Sequence, residues 1–159
     1  EVFVHRNVAN VVVPSDLSAL SVIQFAVDVL KVKHIMVVGH ENCGGVRAAL
    51  EDQRHGLVDN WLRHVKDIRE KHADCLNRVA DINARVERLC ELNVIEQVFN
   101  ICQTTVVQDA WERGQDLTIH GWVYNLSDGL ARDMDVSATN TGEAHRVYKA
   151  ALACLYGKP

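Results

Sequence analysis

Hydrophobic positions along the chain change period several times, and each change marks an element. Residues 1 to 13 (EVFVHRNVANVVV) are rich in Val with one aromatic, which predicts an extended strand and the loop leaving it. The polar triplet His5-Arg6-Asn7 interrupts it. Pro14, Ser15 and Asp16 supply helix-start chemistry, and Leu17 to Leu30 is apolar almost all the way round, the pattern of a buried helix. His34 to His40 (HIMVVGH) holds a continuous apolar run ending at Gly39, as expected of a central parallel strand covered on both faces. A helical pattern restarts from Val46 to Leu50. Helix, strand, Gly-rich turn and helix then follow in the order of an α/β unit with right-handed crossovers.

From about Val58 to Arg113 the chain lacks both Pro and Gly, predicting two or more helices broken near Asp74 to Asp81. Leu92, Ile95, Val98, Phe99, Cys102 and Val106 form one apolar stripe there. Gly114 closes this stretch, and Leu117 to Tyr124 (LTIHGWVY) alternates as a further strand, a candidate for the last of the sheet. From Glu143, apolar residues recur at helical spacing through Tyr156, with Gly157 and Pro159 as stop signals. The expected architecture is α/β, a small, mostly parallel sheet flanked by helices in a single domain over residues 1–159.

Composition narrows the function classes. Seventeen Lys and Arg against 21 Asp and Glu give a net charge of -4 without a long basic run, so nucleic acid is not an expected partner. No stretch approaches the roughly 18 apolar residues of a membrane span, and no signal-peptide pattern follows Glu1, so a cytoplasmic protein without membrane association is expected. Five widely spaced cysteines suit reduced thiols better than a disulfide framework. The apolar helix at 17 to 30 exceeds what one small domain buries, which points to self-association.

The sharpest chemical signal is His40-Glu41-Asn42-Cys43-Gly44-Gly45, a His and a Cys three apart on a turn at a strand's carboxyl end, where ligands bind in such folds. Zinc takes nitrogen and thiolate donors at about 2.0 and 2.3 Å, and one tight turn can present both. Gly44 and Gly45 leave the backbone open to close approach. Alone, His-x-x-Cys is a weak motif, since most such pairs are a buried thiol beside an ordinary histidine. A nucleotide-type anion cradle at the following helix start has neither a GxGxxG nor a P-loop lysine to support it.

Six ordered blocks, FVHRNVAN, SVIQFAVDVLKVKH, GHENCGG, NWLRHV, LCELNVIEQV and GQDLTIHGWVY, together resemble the bacterial type of β-class carbonic anhydrase, from Glu1 to about Leu130. The resemblance implies a Zn2+ enzyme that hydrates carbon dioxide reversibly to bicarbonate, assembled as a homodimer or dimer-based tetramer. It implies His40 and Cys43 as metal ligands, with Gly44 and Gly45 as backbone on the substrate side. The family's first half-site, a Cys-x-Asp-x-Arg motif on the first central strand, has no match here, so that strand, the third ligand and the substrate-orienting Asp-Arg pair are expected upstream of this chain. As printed the chain is then expected to be N-terminally incomplete and inactive alone. The alternative is a noncatalytic homologue or fragment serving as an anion-binding or assembly module.

Arg6 and Tyr124 match positions that, in a bacterial subset of the family, resemble a regulatory bicarbonate pocket; structural pairing and packing roles are the competing reading. His120 reads as a satisfied structural residue, and His5, His34, His55, His64, His72 and His145 show no metal spacing. Cys75, Cys90, Cys102 and Cys154 read as small hydrophobes, and Asp28, Glu91 and Glu96 as solvated or structural carboxylates, with buried acid partners as the alternative.

Overall fold

A computed structural model of the chain describes residues 2–157. In chain order it contains a 3-10 turn Val8–Asn10, then α1 (Leu17–Gln24) running into a π-turn at Phe25–Val29, β1 (His34–His40), α2 (Gly44–Glu51) and α3 (Val58–Lys71). α4 (Ala73–Leu76), α5 (Ile82–Cys102), α6 (Thr105–Glu112), β2 (Thr118–Tyr124), β3 (Ala131–Asp133) and α7 (Thr141–Gly157) complete it. β1 and β2 pair in parallel from His34 opposite Thr118 to His40 opposite Tyr124, and β3 adds a short antiparallel edge to β2. The fold is therefore α/β, a small sheet with its longer pairing parallel, flanked by helices. Among the described residues no helix is long and apolar enough to cross a membrane.

The centre of the molecule is α5. Asp81 caps it by accepting from the Ala84 N–H at 2.8 Å, and 13 of its residues, Asn93, Glu96 and Gln97 among them, are buried. Buried amides must find partners, and here they grip the N-terminal segment. Asn93 Nδ2 donates to the Ala9 carbonyl at 2.8 Å, Gln97 Oε1 accepts from the Val12 N–H at 2.8 Å, and Asn100 Nδ2 donates to the Val12 carbonyl at 3.1 Å. Positions 93, 97 and 100 lie one helical turn apart, so one stripe of α5 holds this irregular segment in place.

The same helix packs against the sheet so closely that two strand positions admit only glycine. A Cβ on Gly39 would lie 2.5 Å from Val94 Cγ2, and one on Gly121 would meet Val136 and, at 2.9 Å, Val98 Cγ2. Valine is stiff at χ1 and cannot swing aside. Gly121→Ala is accordingly expected to destabilise the fold by about 1–3 kcal/mol through overpacking. Urea unfolding would measure it; a variant as stable as the parent would show that sheet and helix are free to separate.

Several sequence expectations are corrected. The strand expected over residues 1 to 13 is irregular backbone around the 3-10 turn, with Glu1 outside the described residues. Ala9 and Asn10 take φ values of 62° and 45°, which break an extended run, and Asn7 closes a loop by bonding both the N–H and the carbonyl of Val11 at 2.9 and 2.8 Å. The helix expected to be buried over 17 to 30 fully buries Ala19, Ala26 and Val27 and packs Ile23 partly inward, while Leu17 is 75 % and Val29 62 % exposed. One core can cover only one side of a helix. β1, expected to be covered on both faces, buries Val37 but leaves Met36 and Val38 exposed, and among the described residues its second edge has no partner. β2 is not the last strand, since β3 follows; Ala-Arg-Asp carries no apolar alternation to announce it. Gly114 ends its stretch as expected, at φ 73°, whereas Pro159 lies outside the described residues.

Candidate metal centre

The turn between β1 and α2 begins where the parallel ladder ends. Glu41 N–H still donates to the Tyr124 carbonyl at 3.0 Å, so His40 leaves the sheet from a fixed position beside β2. Its Nδ1 lies 2.9 Å from the Glu41 carbonyl oxygen. A carbonyl only accepts, so Nδ1 carries the proton, and Nε2 keeps its lone pair for another partner. That is the arrangement in which a histidine serves a metal, with its second nitrogen held by a backbone acceptor.

Asn42 then takes a left-handed conformation, φ 52°, which reverses the chain within one residue. Cys43 follows as the N-cap of α2, 5 % exposed, and its carbonyl accepts the first helical bond from the Arg47 N–H at 2.9 Å. The cysteine side chain makes no capping bond. It is therefore not occupied with the helix, and the unpaired N–H groups at this helix end favour negative charge nearby. A Cβ on Gly44 would meet nothing within 4 Å, whereas one on Gly45 would press on Val8 Cγ1 at 3.1 Å and Leu62 Cδ2 at 3.3 Å. Gly44 thus borders open space, and Gly45 is a packing glycine.

An imidazole nitrogen with its partner nitrogen already fixed and a buried, uncommitted sulfur are two donors of the kind zinc takes. Among the described residues no group of three or more His, Cys, Asp or Glu side chains converges as a full metal site. The pair fits zinc as two of its ligands and no more. Cys90 on α5 adjoins Cys43, its thiol turned to the Cys43 amide and pushed up to about 12 by burial. All five cysteines are free, with Cys43, Cys75, Cys90 and Cys102 buried and Cys154 exposed.

Arg6 is exposed and Tyr124 is 37 % exposed at the end of β2; among the described residues no hydrogen bond or ion pair joins them or gives Arg6 a partner. Three constellations escape a reading of the sequence. His34 Nδ1 and His120 Nε2 lie 3.1 Å apart, with Ser137 Oγ 2.8 Å from the other nitrogen of His120; burial, then the neighbouring His34, lowers the His120 pKa. This pair exists only because the parallel register sets His120 opposite Met36, a neighbour of His34 on the same face. Glu87 Oε1 accepts from the Asn42 N–H at 2.9 Å, across 45 residues. Lys71, His72, Glu96, Tyr148 and Tyr156 form a network joining three helices, with His72 and Glu96 buried at its centre and Lys71 at its exposed rim.

With this geometry in hand, comparison with known proteins gives a consistent result. A family model described as carbonic anhydrase matches residues 1–131. A carbonic anhydrase of Emericella nidulans is 50 % identical over 136 residues, covering 86 % of this chain and 60 % of the relative. One of Candida albicans is 37 % identical over 138 residues, covering 86 % and 49 %. Of solved structures, a Coccomyxa β-carbonic anhydrase in complex with acetazolamide superposes with a TM-score of 0.87 at 36 % identity, over 100 % of this chain and 74 % of that one. A β-carbonic anhydrase described as tetrameric, from Sordaria macrospora, gives 0.80 at 38 % identity, over 86 % and 69 %. The chain spans three fifths of the length of the first curated relative and about half of the second.

Proposed function

Because this chain belongs to the carbonic anhydrase family, in its β class, we propose that it carries part of a zinc site for the reversible hydration of carbon dioxide to bicarbonate and a proton. The observation that carries the reading is the β1–α2 turn, where His40 has Nδ1 committed to the Glu41 carbonyl and Cys43 is buried without a bond of its own. When bound, zinc supplies a nucleophile from water near neutral pH. His40 would hold the metal through Nε2 as a neutral imidazole, its proton parked at Nδ1, and Cys43 would hold it as a thiolate. The open space beside Gly44 leaves room for a small substrate next to these donors.

A catalytic zinc site has about three protein ligands and one open position. The reading therefore requires a further donor, and the Cys-x-Asp-x-Arg segment implied by the family resemblance is its proposed source. The exposed apolar residues Leu17, Phe25, Val29 and Leu30 support assembly into a homo-oligomer, as the tetrameric Sordaria proteins also do. Five unpaired thiols support a reducing compartment such as the cytoplasm.

The test is stopped-flow carbon dioxide hydration by the protein at its natural full length. Activity is expected to disappear when a strong chelator strips zinc and to return with stoichiometric zinc. Fully zinc-loaded protein that hydrates no carbon dioxide would overturn the enzyme reading and favour the noncatalytic alternative.

A further inference from the structure

The geometry points to Glu87 as a positioning residue for the zinc ligands, a role that rests on the metal reading above. Only Glu41 and Asn42 separate His40 from Cys43, so the backbone angles of these two residues set how imidazole and sulfur face one another. Asn42 occupies the left-handed region at φ 52°, a conformation open to few residue types besides glycine, asparagine among them. Within the turn, His40 Nδ1 holds the carbonyl end of the Glu41–Asn42 peptide at 2.9 Å. α2 begins at Cys43 with no side-chain cap, and Arg47, which reaches back toward this end, bonds Asn83 Oδ1 at 2.9 Å and Glu51 at 3.2 Å but reaches Asn42 Oδ1 only at 3.5 Å.

What holds the Asn42 N–H is the carboxylate of Glu87, at 2.9 Å. Glu87 stands on α5, the most deeply packed helix of the fold, one turn before Cys90, whose sulfur feels the amide of Cys43. Two successive amides of the ligand turn thus face one side of a rigid helix. On balance the location disfavours a carboxylate: Glu87 is half-buried and repelled by Glu41 and Glu91, which together outweigh the pull of the Asn42 amide and of Arg47. Its one favourable backbone contact is the Asn42 amide. We infer that Glu87 locks the peptide between the two ligands, so that the donors meet zinc already oriented. Without it the Glu41–Asn42 peptide is held only at its carbonyl, by the ligand imidazole itself, and the thiolate loses its fixed relation to that imidazole.

The test uses the protein at its natural full length in three forms: parent, Glu87→Ala and Glu87→Gln. Zinc release to a chromogenic chelator, the visible spectrum of the cobalt(II)-substituted protein and hydrogen exchange at the Asn42 amide are measured together with the thermal melt. Glu87→Ala is expected to release zinc about 10–100-fold faster, the usual cost of losing a residue that orients a metal ligand. Its cobalt bands should broaden or shift, and the Asn42 amide should exchange faster even without metal. Glu87→Gln keeps an acceptor oxygen at the same place and should restore release to within about twofold of the parent. Parent-like zinc release and cobalt spectrum in Glu87→Ala would overturn the role, and so would a Gln variant that behaves like Ala. Should His40→Ala retain stoichiometric zinc, the metal reading itself fails and the role of Glu87 falls with it. A false positioning role with a sound metal reading shows instead as an empty His40→Ala beside an unaltered Glu87→Ala. A Glu87→Ala protein that does not fold leaves the decision to Glu87→Gln and to exchange at the Asn42 amide, which must stay slow.

Discussion

Neither His40→Ala nor Cys43→Ala is expected to retain stoichiometric zinc, and carbon dioxide hydration should fall to the background rate in both. On the proposed reading each substitution removes one strong donor from a site that has only a few, and the remaining protein ligands would then have to hold the ion against dilution and competing chelators. The two changes are structurally mild. His40 is half-buried at the mouth of the strand, and Cys43→Ala deletes a single sulfur from the edge of the core, so both proteins should keep their circular dichroism spectra. Cys90→Ala is the control, since the Cys90 thiol is turned to the Cys43 amide, and the variant should keep its metal. Both ligands bind protons when free and must shed them to bind metal, so zinc affinity in the parent should weaken as pH falls. Plasma emission spectrometry after gel filtration reads the zinc content directly; one zinc per chain in either Ala variant would remove the proposed site.

That site was legible in the sequence because its geometry is local. A strand ending at Gly39, a His and a Cys three apart and a Gly pair before a helix are all contained in about a dozen residues, and the structure places them as strand, turn and helix. The two long strands and the helix stop at Gly114 were legible for the same reason. The rest was hidden wherever partners come from far along the chain. Glu87 reaches the ligand turn across 45 residues, and the His34–His120 pair spans 86. β3 has no apolar pattern and exists because β2 offers it an edge and because Arg132 reaches Glu91 at 2.5 Å. Conversely, the first 13 residues have strand composition, but the α5 amides claim their backbone groups before any strand can. Local propensity proposes, and the partner that reaches the backbone first decides.

The network around Glu96, a carboxylate already marked on the sequence but without its partners, carries the largest expected effect on stability. Glu96 on α5 is 5 % exposed and accepts hydrogen bonds from Lys71 Nζ at 2.9 Å, His72 Nε2 at 2.6 Å and Tyr148 Oη at 2.6 Å. His72 is itself 2 % exposed, and its Nδ1 faces Tyr156 Oη at 2.6 Å. One carboxylate therefore ties the end of α3 and the whole of α7 to the central helix. Glu96→Ala leaves a buried imidazole and a phenol without their acceptor, and removing one member of a buried charged network costs about 3–5 kcal/mol. For a domain of this size that is a drop in melting temperature of about 10 °C or more. α7 should loosen first, which hydrogen exchange across residues 141–157 would show. Burial opposes ionisation of Glu96, but the bonds from His72, Tyr148 and Lys71 outweigh it and hold the carboxyl below its ordinary value of 4.5. A depressed folded value means that the carboxylate stabilises the protein above the unfolded value, and that this contribution fades as pH falls through the lower, folded one. At the alkaline end, burial and the Glu96 charge push the Tyr148 hydroxyl from 10.0 up to about 12, so the unfolded chain ionises first and stability declines as pH rises across that interval. In Glu96→Ala the acid-side dependence should flatten, because the group responsible is gone. Equal slopes of stability against pH below about pH 4.5 in parent and variant would show that Glu96 is ordinary surface charge.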